Sequence, residues 1–326
     1  MNSIPVTFNE RQLKRTVLGG TAYVEEKMPL SVILLNRMGS AFRANNLENL
    51  DYYGFRKIVC IENTAVNYNL EDISKRYPHV KFIIPHDVLS PGEMINLGMT
   101  EVPDGEVLVI WDTNSISSKL FSKNVVARLA EEEAFCRVPF IAGDRSDLLP
   151  VHMVPSVNKG SFSVEPVLTA PDGCLSFYPF DFIGIYNRKK FILSGGFDYT
   201  IKSPYWQNLD LAMRAWLWGE EISVVQQLRI NYETEVPIED CTPDASQLRF
   251  FLKNIAPKFL KDHSYIPKIK FIPYLFRAGN GFSESLEDFK EARIWVEKNK
   301  FRFRMDASWL IENWDKMEKE KERKTE

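Results

Sequence analysis

Between residues 30 and 111 the chain repeats one rhythm, and this constrains the fold more than any other feature. Four short apolar runs, LSVILLNR (30–37), KIVCIEN (57–63), VKFIIP (80–85) and VLVIW (107–111), each halt in polar residues or proline. Unbroken apolar runs of this length, without in–out alternation, belong to strands covered on both faces. The stretches between them carry helical patterns. Phe42, Leu47, Leu50 and Tyr53 recur at helical spacing before Gly54, LEDISKRY closes before Pro78, and a third helix opens near Pro91, where proline is favoured. Strand and helix alternating through roughly 80 residues predict a parallel sheet with helices on both faces. Ligands in such sheets lie beyond the carboxyl ends of the strands. Asn36-Arg37, Glu62-Asn63 and Asp112-Thr113-Asn114 would all stand on that edge.

Periodicity is weaker from 115 to 180. A helix is predicted around 118–134, followed by the apolar VPFIAGD and a loop-rich section. Residues 182–225 read as strand, short helix, glycine turn, loop, and a helix over 207–218 ended by Gly219. From 241 onward the segments have helical spacing and finish in a mixed-charge tail. The expected division is therefore one α/β domain over 1–240 and a mainly helical extension over 241–326.

Composition removes several classes of function. A net charge of -3 and a pI near 6.0 leave no basic footprint for nucleic acid. Cys60, Cys136, Cys174 and Cys241 lie far apart without a CxxC spacing, so reduced thiols are expected rather than zinc or a disulfide framework. No apolar run is long enough to span a membrane. The first residues lack the apolar core of a signal peptide, which makes the cytoplasm the expected location.

Four stretches, covering roughly 30–235, together resemble the family 2 glycosyltransferases of the GT-A fold. SVILLNR is similar to the family's opening strand, and KIVCIENTA to the second strand, whose acidic end meets the nucleobase. GEMINLGM is similar to the helix that carries an Asn-x-Gly pair, here Asn96 and Gly98. The most specific is GIYNRKKFILSGGFDYTIKSPYWQNLDLAMRAWLWGEEI, which resembles the acceptor-side block: a Gly-Gly-Phe-Asp turn, an acidic pair, Asp-Leu and an Arg-bearing helix.

The resemblance implies a GT-A mixed sheet flanked by helices, with a C-terminal helical extension. It also implies transfer of a sugar from a nucleotide diphosphate sugar to a saccharide or glycan acceptor, with inversion. The donor would meet Asn36, Arg37, Glu62, Asn63, Asn96, Asp112 and Thr113. The acceptor would meet Gly195, Gly196, Trp206, Gln207 and Asn208. A departing nucleotide diphosphate gathers negative charge that a divalent cation can neutralise. The family holds Mn²⁺ or Mg²⁺ on an Asp-x-Asp, here degenerate as Asp112-Thr113-Asn114. An amide oxygen ligates a hard cation without adding charge, so the expected grip of Asp112 and Asn114 is weak.

The family's general-base pair is replaced by Gln207 and Asn208, and neither side chain takes a proton at neutral pH. Asp210 and Asp198 are the replacement candidates, with Asp181 a further carboxylate of the same standing. The other class of function is a non-catalytic relative that binds a nucleotide sugar or glycan or holds a partner enzyme. For the aromatic segment PKIKFIPYLFRAGNGF three roles stay open: covering the acceptor side, meeting a membrane surface, or contacting another subunit.

Overall fold

A computed structural model describes residues 4–23, 25–37, 43–62, 70–117, 122–131, 134–145, 147–158, 160–279 and 281–325. The four expected strands are present as β2 (Met28–Leu35), β3 (Phe55–Ile61), β4 (Lys81–Pro85) and β5 (Glu106–Trp111), after a short β1 (Arg15–Gly19). Pairing is parallel between β2 and β3, β3 and β4, and β2 and β5. Further strands widen the sheet: β6 (Asn114–Ile116), β7 (Cys136–Ala142), β10 (Gly184–Asn187) and β11 (Ile222–Tyr232). Among the described residues the sheet has nine strands in the order β1-β4-β3-β2-β5-β10-β7-β11-β6.

The sheet is mixed: of its antiparallel members, β10 is the strand expected at the start of 182–225, whereas β1 and β6 are not marked by the sequence. The first, β1, runs antiparallel to β4 at one edge, and β10 is antiparallel to both neighbours, β5 and β7. The loop-rich section contains a hairpin, β8 (His152–Asn158) with β9 (Ser161–Val167), whose pattern is too exposed to read as a buried run.

Helices α1 (Arg43–Tyr53), α2 (Leu70–Arg76), α3 (Pro91–Met99) and α4 (Lys123–Glu131) connect the first strands. Ser90 caps α3 in a full capping box with Glu93, and Pro91 follows directly, as the sequence predicts. A Cβ at Gly98 would stand 2.8 Å from Ile33, so glycine is what lets α3 lie this close to β2.

Downstream come α5 (Arg188–Leu193) and α6 (Pro204–Leu217); α6 begins at Pro204, three residues before the expected start. The C-terminal part holds α7 (Ala245–Phe250), a π-turn over Phe251–Ile255, and a small hairpin of β12 (Lys258–Leu260) with β13 (His263–Tyr265). It ends in α8 (Phe271–Ala278), α9 (Phe282–Asn299), α10 (Ala307–Glu312) and α11 (Trp314–Thr325).

Phe250, Leu252, Trp295 and Trp314 join the same apolar core as the sheet. The ring of Trp314 stands edge-on to Trp216 at 4.9 Å, and Glu318 on α11 meets His152 on β8 at 2.6 Å.

Candidate active site

The carboxyl ends of β2, β3 and β5 meet as expected. Asp112 follows β5 and donates its backbone N–H to Leu35 O (2.8 Å), while its carboxylate accepts the Arg37 N–H (2.9 Å). Asn36 and Glu62 end the neighbouring strands and share a buried hydrogen bond of 2.9 Å. Asn63 lies outside the described residues.

In front of this edge is a cleft of about 390 Å³ lined by Asn36, Arg37, Trp111, Asp181, Tyr205 and Glu239, among others. The Arg37 guanidinium lies 3.8 Å from the centre of the Trp111 ring and donates to Asp181 Oδ1 at 2.6 Å. Tyr232 donates its hydroxyl to Asp181 Oδ2 (2.6 Å), and Trp111 Nε1 donates to the Asp181 carbonyl (2.9 Å).

The Asp181 backbone is left-handed at φ 50°, ψ 32°, and Phe182 follows at φ 65°. Two successive non-glycine residues in that region cost about 1–2 kcal/mol each. The three contacts to Asp181 hold the turn against that cost. Burial pushes the Asp181 carboxyl above the ordinary range, partly offset by the Arg37 charge.

Glu239 is the carboxyl that the sequence reading missed. It is half-buried on the cleft wall and accepts the Tyr178 hydroxyl at 2.5 Å. Burial lifts its pKa from 4.5 to about 7, with Asp181 nearby adding to the rise. It sits seven residues beyond β11 in VPIED, a segment with no period that could have flagged it.

Asp198 and Asp210 stand elsewhere. Both are fully buried and ion-paired with Lys253, whose Nζ lies 2.8 Å from each carboxylate. Asp210 also pairs with Arg214 (2.9 Å) and accepts Asn254 Nδ2 (2.8 Å). Neither carboxylate lines the cleft.

The block read as acceptor-binding is built as a clamp between α3 and α6. Gln207 Oε1 accepts the Gly92 N–H (2.9 Å), one of the free donors at the start of α3. Its Nε2 donates to Ser90 Oγ and to the Asp198 carbonyl, both at 3.0 Å. Asn208 Nδ2 donates to the Pro179 carbonyl at 2.7 Å. These acceptors explain the amides, because a carboxylate at either position would set oxygen against oxygen.

Asn96 closes the same clamp by exchanging two hydrogen bonds with the Phe197 backbone, at 2.8 and 2.9 Å. Arg214 donates to the carbonyls of Ser194 and Gly196, which fixes the Gly195-Gly196 turn. Gly196 has φ 66°, and a Cβ there would stand 2.5 Å from Asn96 Oδ1. Trp206 is buried, its Nε1 donating to the Thr242 carbonyl at 3.0 Å. Gln207→Glu is therefore expected to cost about 1–3 kcal/mol of stability without adding activity, as read from a urea transition beside a transfer assay.

The residues of Asp-Thr-Asn do not fit a divalent cation. Asn114 Oδ1 accepts the Trp111 N–H at 2.9 Å, which leaves its amide nitrogen, a donor, as the free atom. Flipping the amide would oppose two donors. Thr113 and Asn114 are both buried, and Asp112 does not line the cleft. Among the described residues no group of three or more His, Cys, Asp or Glu side chains is placed to hold a metal.

No family model matches the sequence, and no curated protein is similar to it. Solved structures are similar to it. The crystal structure of GalNAc-T7 with UDP, GalNAc and Mn²⁺ aligns at TM-score 0.62 and 13% identity, over 89% of this chain and 57% of that one. S. aureus TarS aligns at TM-score 0.49 and 14% identity, over 83% of this chain and 43% of its own. The chain thus spans little more than half the length of the GalNAc-T7 chain. The mixed sheet flanked by helices and the likeness to the GalNAc-T7 structure give the chain a GT-A fold.

Proposed function

We propose that the protein transfers a sugar from a nucleotide diphosphate sugar to a saccharide or glycan acceptor, with inversion at the anomeric carbon. The observation that carries this reading is the cleft at the strand ends, where Arg37 faces two carboxyls of different environment, Asp181 and Glu239. The nucleobase meets the Asn36–Glu62 edge, and the diphosphate meets the Arg37 guanidinium. Arg37 is suited to this because its planar guanidinium fork matches phosphate oxygens. The Trp111 ring beneath it fixes the plane of that fork.

The diphosphate competes with Asp181 for Arg37, and the raised pKa of Asp181 favours taking up a proton as that pairing loosens. Glu239 has a pKa lifted to about 7 and, among the described residues, accepts the Tyr178 hydroxyl rather than a cation, so it removes the proton of the attacking acceptor hydroxyl. Developing charge on the leaving group is then met by arginine rather than by a metal ion, in keeping with the engaged oxygen of Asn114.

Calorimetric titration with a panel of nucleotide diphosphate sugars tests the reading. At least one donor is expected to bind with the same affinity in Mn²⁺ as in chelator. Arg37→Gln is expected to weaken it about 10–150-fold, the worth of one hydrogen bond to a charged group. If no donor binds, the reading is wrong. A donor that binds only with Mn²⁺ returns charge neutralisation to a cation.

A further inference from the structure

The segment around α8 presents an apolar face that the rest of the chain leaves uncovered. Ile269, Ile272 and Phe276 recur at i, i+3 and i+7, on one stripe of the helix and its lead-in turn, and are 72%, 57% and 84% exposed. Phe282, 61% exposed at the start of α9, meets Phe271 of α8 edge-on (5.7 Å). The opposite side of α8 is anchored, with Tyr274 buried and its ring 6.3 Å from that of Phe289. The helix is therefore held in place with its apolar stripe outward. Single exposed apolar residues are ordinary, but four large ones on one rigid surface are a contact face.

Charge distinguishes between occupants. From His263 to Ser283 the chain carries Lys268, Lys270 and Arg277 and no Asp or Glu; Asp262 precedes the stretch, and Asp288 of α9 accepts the Tyr274 hydroxyl (3.2 Å) on the anchored side of α8. Lys268 and Arg277 are exposed, and Lys270 partly so. A second copy packing on this face about a two-fold axis would oppose the same cations. A saccharide has no use for four adjacent aliphatic and phenyl groups without a hydrogen-bonding rim.

An anionic bilayer satisfies both parts: acyl chains for the apolar stripe and phosphate headgroups for the cationic flank. Among the described residues no helix is long and apolar enough to cross a membrane, so the contact lies in the plane of the interface. We propose that the face formed by Ile269, Ile272, Phe276 and Phe282, flanked by Lys268, Lys270 and Arg277, docks this protein onto anionic phospholipid. This inference is independent of the proposed transfer reaction.

Flotation of the full chain with vesicles tests it, using phosphatidylcholine alone and phosphatidylcholine mixed with phosphatidylglycerol at physiological ionic strength. The wild type is expected to float with the anionic vesicles and to stay behind with the zwitterionic ones. The double variant Ile272→Ser/Phe276→Ser is expected to lose about tenfold or more of that partitioning through the apolar area it withdraws. Lys268→Gln/Lys270→Gln/Arg277→Gln is expected to lose a similar factor through charge. All substituted positions are exposed or partly exposed, and circular dichroism is the check that the variants fold. The proposal is overturned if the wild type does not float with anionic vesicles, or if the apolar variant floats as well as the wild type. Light scattering that shows a dimer, broken by the same apolar substitutions and indifferent to vesicles, would make a second copy the occupant and also overturn it.

Discussion

Glu239→Gln is expected to slow sugar transfer by about 10²–10⁴-fold, the usual contribution of a general base, while donor binding stays intact. Glutamine keeps the shape of the side chain and still accepts the Tyr178 hydroxyl, so the cleft wall survives the change. What disappears is the site that takes the proton. In the wild type, kcat/KM should rise with pH through about 7, as the Glu239 carboxyl ionises. That limb should be absent from the variant.

Stability should move the other way. A carboxyl whose folded pKa lies above its ordinary 4.5 binds its proton more tightly folded than unfolded. Its ionisation therefore opposes folding as pH rises from about 4.5 through about 7. The variant, with nothing to ionise there, should be the more stable protein above neutral pH. Such a trade is expected where a site keeps a carboxyl in surroundings that disfavour its charge. A variant that keeps both the rate and the limb would remove Glu239 from the chemistry.

The sequence makes the edge of strand ends legible but not the wall that faces it, for a physical reason. Asn36, Arg37, Glu62 and Asp112 could be placed because each ends a strand of a parallel sheet, and strand order alone brings those ends together. Asp181 and Glu239 reach the cleft through a left-handed turn and a strap without periodicity, so only the folded chain joins them.

The acceptor-side block shows the opposite hazard. Gln207, Asn208 and Arg214 of that block, with Asn96 from the expected donor set, form recognisable motifs, yet they hydrogen-bond to the backbone of α3, of the Gly-Gly-Phe-Asp turn and of Pro179. An amide binds a sugar hydroxyl or a buried carbonyl equally well. Burial decides between them, and burial depends on elements more than a hundred residues away. The same holds for Asn114, whose place one residue past Asp-Thr suggests a metal ligand until the Trp111 N–H is seen to occupy its oxygen.

Lys253→Met is expected to destabilise the fold by about 3–5 kcal/mol, the cost of removing one partner from a buried ionic pair. Lys253 sits in the π-turn over Phe251–Ile255, with its ammonium 4.9 Å from the Trp295 ring and 2.8 Å from the carboxylates of both Asp198 and Asp210. Without it, among the described residues Asp198 keeps Thr200, and Arg214 is left as the cation on Asp210.

Burial alone would push Asp210 up, but Lys253 and Arg214 together outweigh it and hold its carboxyl below the ordinary range. That depressed pKa contributes stability present above the unfolded value of 3.8 and lost as pH falls through the folded one. In Lys253→Met this contribution shrinks, so the gap between variant and wild type should narrow under acid. Urea transitions at neutral and acid pH measure both effects.

The double variant Asp198→Asn/Lys253→Met removes one charge of each sign, leaves Asp210 paired with Arg214, and should recover most of the loss, since a neutral, packed replacement of a buried ion pair is often close to isoenergetic. A loss below about 1 kcal/mol in the single variant, the range of an exposed pair, would show that solvent reaches the cluster. The full loss would mean that residues beyond 240 complete the core around α6, since the cation that neutralises its buried carboxylate comes from there.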